Sequence, residues 1–252
     1  MSDPASLPGI AGRVALVTGG SRGLGAGIAV ALAGAGADVA VNYVSDEASA
    51  QRVVERVRAL GRRALAVRAD VSRADQVAML MDAVGSELGV PLVLVNNAGI
   101  MRQRAVDALT EADFDEHIAV NLKSAFLVTQ AALPAMRAAR FGRIVMMSSA
   151  AAQTGGRVGV HYAASKAGML GLMHGYAQAL AGEGITVNAI APALISVTDG
   201  ASATRTAANP AFIPVKRFGT VEECAALTLA ALGNGYLTGQ TLSLNGGLVM
   251  TS

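Results

Sequence analysis

Val14-Ala-Leu-Val-Thr-Gly-Gly-Ser-Arg-Gly-Leu-Gly25 decides the fold. An apolar, β-branched run enters a loop with glycines at positions 19, 20, 23 and 25, and a helical pattern follows directly. Glycines let a backbone approach a pyrophosphate closely, and the start of the next helix supplies N–H donors and the positive end of a dipole. The spacing is Gly-x-x-x-Gly-x-Gly and departs from the common Gly-x-Gly-x-x-Gly fingerprint. Its place after a first strand and before a helix makes it a dinucleotide loop rather than a chance cluster among 29 glycines.

The same alternation continues outward along the chain. Apolar runs recur at 38–42, 64–68, 92–95, 143–147, 186–190 and 241–244. Helical patterns lie between them, at 47–60, 74–88, 111–139 and 162–182. Short continuous apolar runs suit strands buried on both faces, and repeated strand–helix–strand units build a parallel sheet. The expectation is an α/β, doubly wound Rossmann-type sheet of about seven strands with helices on both faces. Residues 10–252 read as one domain, and residues 1–9, with Pro4 and Pro8, as a fraying N-terminal segment.

Composition narrows the classes of function. With 52% hydrophobic and 15% charged residues in 252, the chain can bury a large core. Twenty basic against 18 acidic residues give a net charge of +2, without a basic run, which argues against a nucleic-acid partner. Cys224 is the single cysteine, so neither an internal disulfide nor a cysteine-built metal site is expected. His117, His161 and His174 are scattered and read as structural or surface residues, and no metal is expected. The apolar stretch from Ile28 to Val41 is broken by Asp38 and is no membrane span. Without a leader pattern at the N-terminus, a soluble, cytoplasmic protein is expected.

In doubly wound sheets, ligands bind beyond the carboxyl ends of the strands. Tyr162 and Lys166, four apart in a helical pattern, share one face, and Ser149 lies thirteen residues upstream of the tyrosine. A tyrosine ordinarily titrates near 10, too high for efficient proton transfer at neutral pH. A positive charge about 4 Å away, at an effective dielectric of about 20, favours the phenolate by roughly 4 kcal/mol. A Tyr-x-x-x-Lys is also an ordinary amphipathic pair, so the reading rests on its company. The second strand ends at Asn42-Tyr43 without the acid that grips ribose hydroxyls in NAD sites, and Asp46-Glu47 read as the cap and first turn of the next helix. With Arg22 in the glycine loop, NADP(H) is expected over NAD(H).

Thr18-Gly19-x-x-x-Gly23-x-Gly25, Asp70-Val71, Asn96-Asn97-Ala98-Gly99, Asn121, Ser149, Tyr162 and Lys166 together resemble the short-chain dehydrogenase/reductase family over essentially the whole chain. The ending Ile213-Pro-Val-Lys-Arg-Phe-Gly219, with Gly239-Gln240 and Asn245-Gly246-Gly247, is most similar to bacterial 3-oxoacyl-[acyl-carrier-protein] reductases of fatty acid biosynthesis. The resemblance implies Tyr162 as proton donor to a carbonyl and Lys166 as the group that lowers its pKa and holds the nicotinamide ribose. It further implies Ser149 as hydrogen-bond donor to the substrate oxygen and Asn121 as holder of a proton-relaying water.

Cofactor contacts are implied for Thr18, Gly19, Ser21, Arg22, Gly23, Leu24, Gly25, Asn42, Tyr43, Asp70, Val71, Asn97, Ala98, Gly99, Tyr162, Lys166, Pro192, Ala193 and Thr198. Read without the resemblance, Asn121 is a helix-bending or solvent-facing residue, Asn96 and Asn97 form a turn, and Asp70 caps a helix. Ser148 neighbours Ser149, but the thirteen-residue spacing selects Ser149.

Two positions depart from the family pattern. Ala193 replaces the usual glycine after Pro192, and Val197 stands where a threonine usually meets the nicotinamide amide, with Thr198 beside it. Residues 194–215, rich in small polar side chains, suit a substrate lid. Met101-Arg-Gln-Arg104 reads as a solvated loop that could attract an anionic substrate. Arg140 and Arg143 are candidates to meet an acidic carrier protein, and Glu183 stands where related reductases often carry a base.

The expected activity is NADP(H)-dependent reduction of a ketone, most like a 3-oxoacyl-thioester reductase. Another carbonyl reductase or secondary-alcohol dehydrogenase, or a dinucleotide-binding regulator without turnover, are the alternatives. The resemblance implies a homotetramer.

Overall fold

The computed structural model describes residue 7, residues 9–197 and residues 209–250. Seven parallel strands form one sheet among the described residues: β1 (Val14–Val17), β2 (Asp38–Tyr43), β3 (Ala64–Arg68), β4 (Pro91–Asn96), β5 (Gly142–Met147), β6 (Ile185–Pro192) and β7 (Thr241–Leu244). Their order is β3-β2-β1-β4-β5-β6-β7. The direction of winding reverses between β1 and β4, which places the ligand crevice beside the glycine loop.

Helices α1 (Gly23–Gly34), α2 (Glu47–Ala59) and α8 (Val221–Gly233) cover one face. Helices α3 (Ala74–Glu87), α5 (Ser124–Ala139) and α7 (Val160–Leu180) cover the other, and the short α6 (Ala151–Thr154) lies between β5 and α7 in the chain. Alternate residues of a strand serve opposite faces: Ala15 and Val17 join the first core, Val14 and Leu16 the second. Every residue of β1, β2 and β6 is buried, as their apolar runs require. Cys224 lies fully buried in the first core.

Two departures from the sequence reading matter for the site. The helical stretch 111–139 is not one helix: α4 (Glu111–His117) passes through a π-helical turn, Ile118–Lys123, before α5. The wide turn carries Asn121 into the interior, where it is fully buried. Taken together, Glu111–Ala139 is the one described helical stretch long and apolar enough to cross a membrane by length and composition. It packs here on α3, α7, β4 and β5. Asp70 does not cap α3, whose N-cap is Arg73. It closes a turn instead, its Oδ1 accepting from the Ser72 N–H at 3.0 Å and from the Ser72 hydroxyl at 2.7 Å.

Asp38, 6% exposed at the start of β2, fastens the sheet's outer strands. It accepts from the Arg63 N–H at 3.1 Å and from Arg63 Nε at 2.8 Å, and pairs with Arg62 at 2.7 Å. Burial works to raise the Asp38 pKa, but these partners outweigh it and hold the carboxyl below its ordinary value of 3.8. Asp38→Ala is therefore expected to cost about 1–3 kcal/mol in urea unfolding. The wild-type advantage should be complete above pH 3.8 and disappear as pH falls through the depressed native value.

Candidate active site

Three polar side chains build the glycine loop from below. Thr18 Oγ1, buried at the end of β1, accepts from the N–H groups of Asn97 and Ala98, each at 3.0 Å. Asn97 Nδ2 donates back to the carbonyls of Thr18 and Gly19, at 2.9 and 3.0 Å. Asn42 Oδ1 accepts from the Gly19 N–H at 3.2 Å while its Nδ2 donates to the Ala69 carbonyl at 2.8 Å. The loop is thus stitched to β4 on one side and β2–β3 on the other. Gly19 and Gly23 hold φ of +60° and +57°, which disfavours any side chain. A Cβ on Gly25 would stand 2.5 Å from both Asn97 Nδ2 and the Gly19 carbonyl.

These contacts give several of the expected contact residues a structural role as well. Thr18, Asn42 and Asn97, expected as cofactor contacts, also tie the loop to its neighbours, Asn42 through further bonds to the Tyr43, Val67 and Ala69 carbonyls. Tyr43 is 6% exposed in the first core and Val71 3% exposed in the second. Ser21, Arg22, Gly23 and Leu24 stay at least partly exposed along the crevice. Asp46 caps α2, with both carboxylate oxygens on Ser49, as expected.

The catalytic candidates come from three places: α7, the segment just after β5 and the π turn. Lys166, 5% exposed, reaches from α7 to the end of β5, where Nζ donates to the Met147 carbonyl at 2.7 Å. One residue on, Ser148 Oγ returns a 2.8 Å bond to the Lys166 carbonyl. Ser148 is therefore the structural serine of the pair. Ser149 is half-buried at the crevice, and its Oγ accepts from the Ala151 N–H at 3.2 Å. The Lys166 ammonium lies 5.9 Å from the centroid of the Tyr162 ring. Burial pushes the lysine down from its ordinary 10.5 to about 8, so it remains mostly protonated at neutral pH.

Asn121 closes the cluster from the π turn. Its Oδ1 accepts from the Ile100 N–H at 2.7 Å, and its Nδ2 donates to the Ile100 carbonyl at 3.1 Å and to Ser165 Oγ at 3.0 Å. These bonds make it a positioning residue that pins the segment after β4. The absence of a side chain at Gly99 allows that fit: a Cβ there would stand 3.2 Å from Asn121 Oδ1 and 3.4 Å from Lys166 Nζ.

A family model described as short chain dehydrogenase matches residues 13–209. The chain belongs to that family. It is 42% identical to the 3-oxoacyl-[acyl-carrier-protein] reductase FabG of Staphylococcus aureus (strain Mu50), over 94% of this chain and 98% of the relative. Identity to the Synechocystis 3-oxoacyl-[acyl-carrier-protein] reductase is 38%, over 97% and 100%. A crystal structure from Sinorhizobium meliloti 1021, described as a candidate short-chain alcohol dehydrogenase, superposes with a TM-score of 0.88 at 36% identity, covering 96% of this chain and 98% of that one. The protein is an oxidoreductase of the short-chain dehydrogenase family.

Within this dehydrogenase, the basic residues suggested for carrier docking are misplaced for that role. Arg143 is the second residue of β5, about 13 Å of strand before Met147, at the amino end of the sheet. It donates to the carbonyls of Gly142 and Gly184 and stacks on Phe141. Arg140 ends α5 at that same end, and Glu183 pairs there with Arg137, so the acid bears on helix packing rather than on the site mouth. Nearer the mouth, Arg102 pairs with Glu116 and Arg104 with Asp113.

Pro192, expected just after the sixth strand, is the last residue of β6, and Ala193 follows it; backbone bonds tie the two to Ala150 and Leu244. Val197 approaches the glycine loop, its Cγ1 3.4 Å from where a Cβ on Gly23 would lie. Thr198 and the middle of the 194–215 segment lie outside the described residues. Sequence reasoning missed the partners that hold the machinery: the Met147 carbonyl, Ser165 and Gln76, whose Oε1 accepts from the Asp70 N–H at 2.6 Å. A backbone carbonyl leaves no sequence signal, and Ser165 could have been found only from its place beside Lys166.

Gly25→Ala should fold less stably and lose dinucleotide affinity, because its Cβ meets backbone as well as a side chain. Asn42→Ala is expected to cost about 1–3 kcal/mol by leaving buried partners unsatisfied. Thermal melts with and without NADPH check both, the ligand-induced rise in Tm shrinking in each variant.

Proposed function

We propose that this dehydrogenase reduces a ketone to a secondary alcohol with NADPH, and that its substrate is a 3-oxoacyl thioester. The observation that carries the reading is the convergence of Ser149, Tyr162 and a buried Lys166 beside the glycine loop. The loop fits a dinucleotide on its own terms: Gly25 has no room for a Cβ, and α1 opens behind Arg22, which supplies no side-chain cap. Such a helix start suits an anionic group. With Asp46 committed to capping α2 and Arg22 exposed nearby, a 2′-phosphate is favoured over bare ribose hydroxyls.

The bound cofactor supplies one thing, a hydride for the carbonyl carbon. The chain's residues handle the charge this creates on oxygen. Ser149 already accepts from Ala151, so its own hydroxyl proton is what it offers to the substrate oxygen. Tyr162 donates the proton that completes the alcohol. The Lys166 ammonium favours the phenolate left behind, and the Met147 carbonyl fixes where that charge sits. The thioester substrate is supported by the relatives' names and by the C-terminal resemblance. A simpler ketone is the second reading, favoured by the remoteness of Arg140 and Arg143 from the mouth.

Loss of NADPH absorbance with acetoacetyl-CoA, against a panel of ketones and with NADH in parallel, separates these readings. Tyr162→Phe should lower turnover by on the order of 10²–10⁴ while NADPH binding persists. With NADPH as the varied substrate, kcat/KM reports groups of the free protein and should fall as pH rises through about 8, because the required ammonium of Lys166 exists below that value.

A further inference from the structure

Two buried histidines stand beside the catalytic helix with no part in the proton chemistry above. His117 ends α4, His161 precedes Tyr162 by one residue, and both are fully buried. Their rings meet edge-on with centroids 4.2 Å apart. Both hold the backbone of one loop residue: Arg102 N–H donates to His117 Nε2 at 3.3 Å, and the Arg102 carbonyl faces His161 Nε2 at 3.0 Å. His117 Nδ1 faces the Asp113 carbonyl at 2.7 Å. These partners assign the protons, with His117 carrying its own on Nδ1 and His161 on Nε2. His161 Nδ1 is then a buried nitrogen with no hydrogen-bond partner among the described residues.

The clamped loop runs from Gly99, beside Lys166, to Arg104, whose N–H donates to the Val158 carbonyl just before α7. It borders the carboxyl end of β4, the side from which a substrate reaches Tyr162. We propose that His117 and His161 are positioning residues for substrate binding: with His117 neutral they clamp the Arg102 backbone and hold this loop on the catalytic helix, and a proton on His117 opens the clamp. The proposal rests on the ketone-reductase reading for its effect on substrate, though not for the clamp itself.

The geometry sets the direction. A second proton on His117 would sit on Nε2 and face the Arg102 N–H, donor against donor. Burial lowers the His117 pKa below its ordinary 6.5, the Asp113 carbonyl opposes this, and the His161 ring lowers it further. The other charged groups near it are Glu116, paired with Arg102, and Asp113, paired with Arg104. From α7 come His161 and then Tyr162 and Lys166, and the π turn contributes only the exposed Lys123. The clamp is therefore closed above 6.5 and opens as pH falls through the depressed native value.

Hydrogen exchange at the Arg102 amide of the full chain, corrected for intrinsic rate, tests this without substrate. Between about pH 7.5 and about pH 5, wild-type protection should fall on the order of tenfold, and in His117→Gln, whose amide oxygen accepts but cannot titrate, it should not. Over the same range the wild-type KM for the ketone should rise with a much smaller change in kcat, and that rise should vanish in His117→Gln. A purely structural histidine would change Tm and leave the pH dependence of KM alone.

Wild-type protection that ignores pH, or the same fall in His117→Gln, overturns the clamp. If His117→Gln does not fold, the wild-type His117 ring titration by NMR decides: its midpoint must coincide with that of the exchange profile, and a mismatch overturns the proposal. If no ketone is turned over, the functional reading fails and the exchange result still decides the clamp.

Discussion

A buried ammonium is the constraint on which the site depends. Lys166 is 5% exposed and has lost most of its water, a state tolerated only where the charge is met by polar partners. The Met147 carbonyl supplies one partner, which requires β5 to end where it does and α7 to begin where it does. Ser148 then ties the Lys166 backbone to the same strand end, and Gly99 leaves the space into which Nζ projects. The lysine proposed to tune proton transfer is thus also a structural joint between the sheet and α7. Burial leaves it a pKa of about 8, close enough to neutrality that its charge is a controllable quantity.

The cofactor side shows the same economy in another form. Side chains that read as ligand contacts, Thr18, Asn42 and Asn97, use hydrogen bonds to join the glycine loop to the segment after β4 and to the β2–β3 side of the sheet. A buried polar group must be satisfied somewhere. Here satisfying it fixes the loop between β1, β2 and β4, the place where the order of strands reverses. Shape is set by buried amides and hydroxyls, while Arg22 stays exposed beside the loop.

The substrate side depends on the joint between α4, the π turn and α7. Asn121 grips Ile100 from the π turn, and the two histidines grip Arg102 two residues further on. Both contacts hold one loop against the helix that carries Tyr162. Its arginines are paired with Glu116 and Asp113, so the loop's exposed charge is largely balanced near the mouth.

The alternation of apolar runs and helical patterns was sufficient for the parallel sheet, because strands buried on both faces must be continuously apolar and the glycine loop can follow only the first of them. Ser149, Tyr162 and Lys166 could be picked out as a candidate set for a similar reason: their spacing along one strand end and one helix is a local property. What tertiary structure alone decided is which protein groups each polar side chain meets. Asn42 and Arg143 show the limit. One, read as a cofactor contact, also braces the loop, while the other, read as a docking residue, lies at the opposite end of its strand. Spacing reports periodicity along an element, but partnership across 60 or 80 residues, as between Thr18 and Ala98 or His161 and Arg102, exists only once the strands are paired and the helices laid upon them.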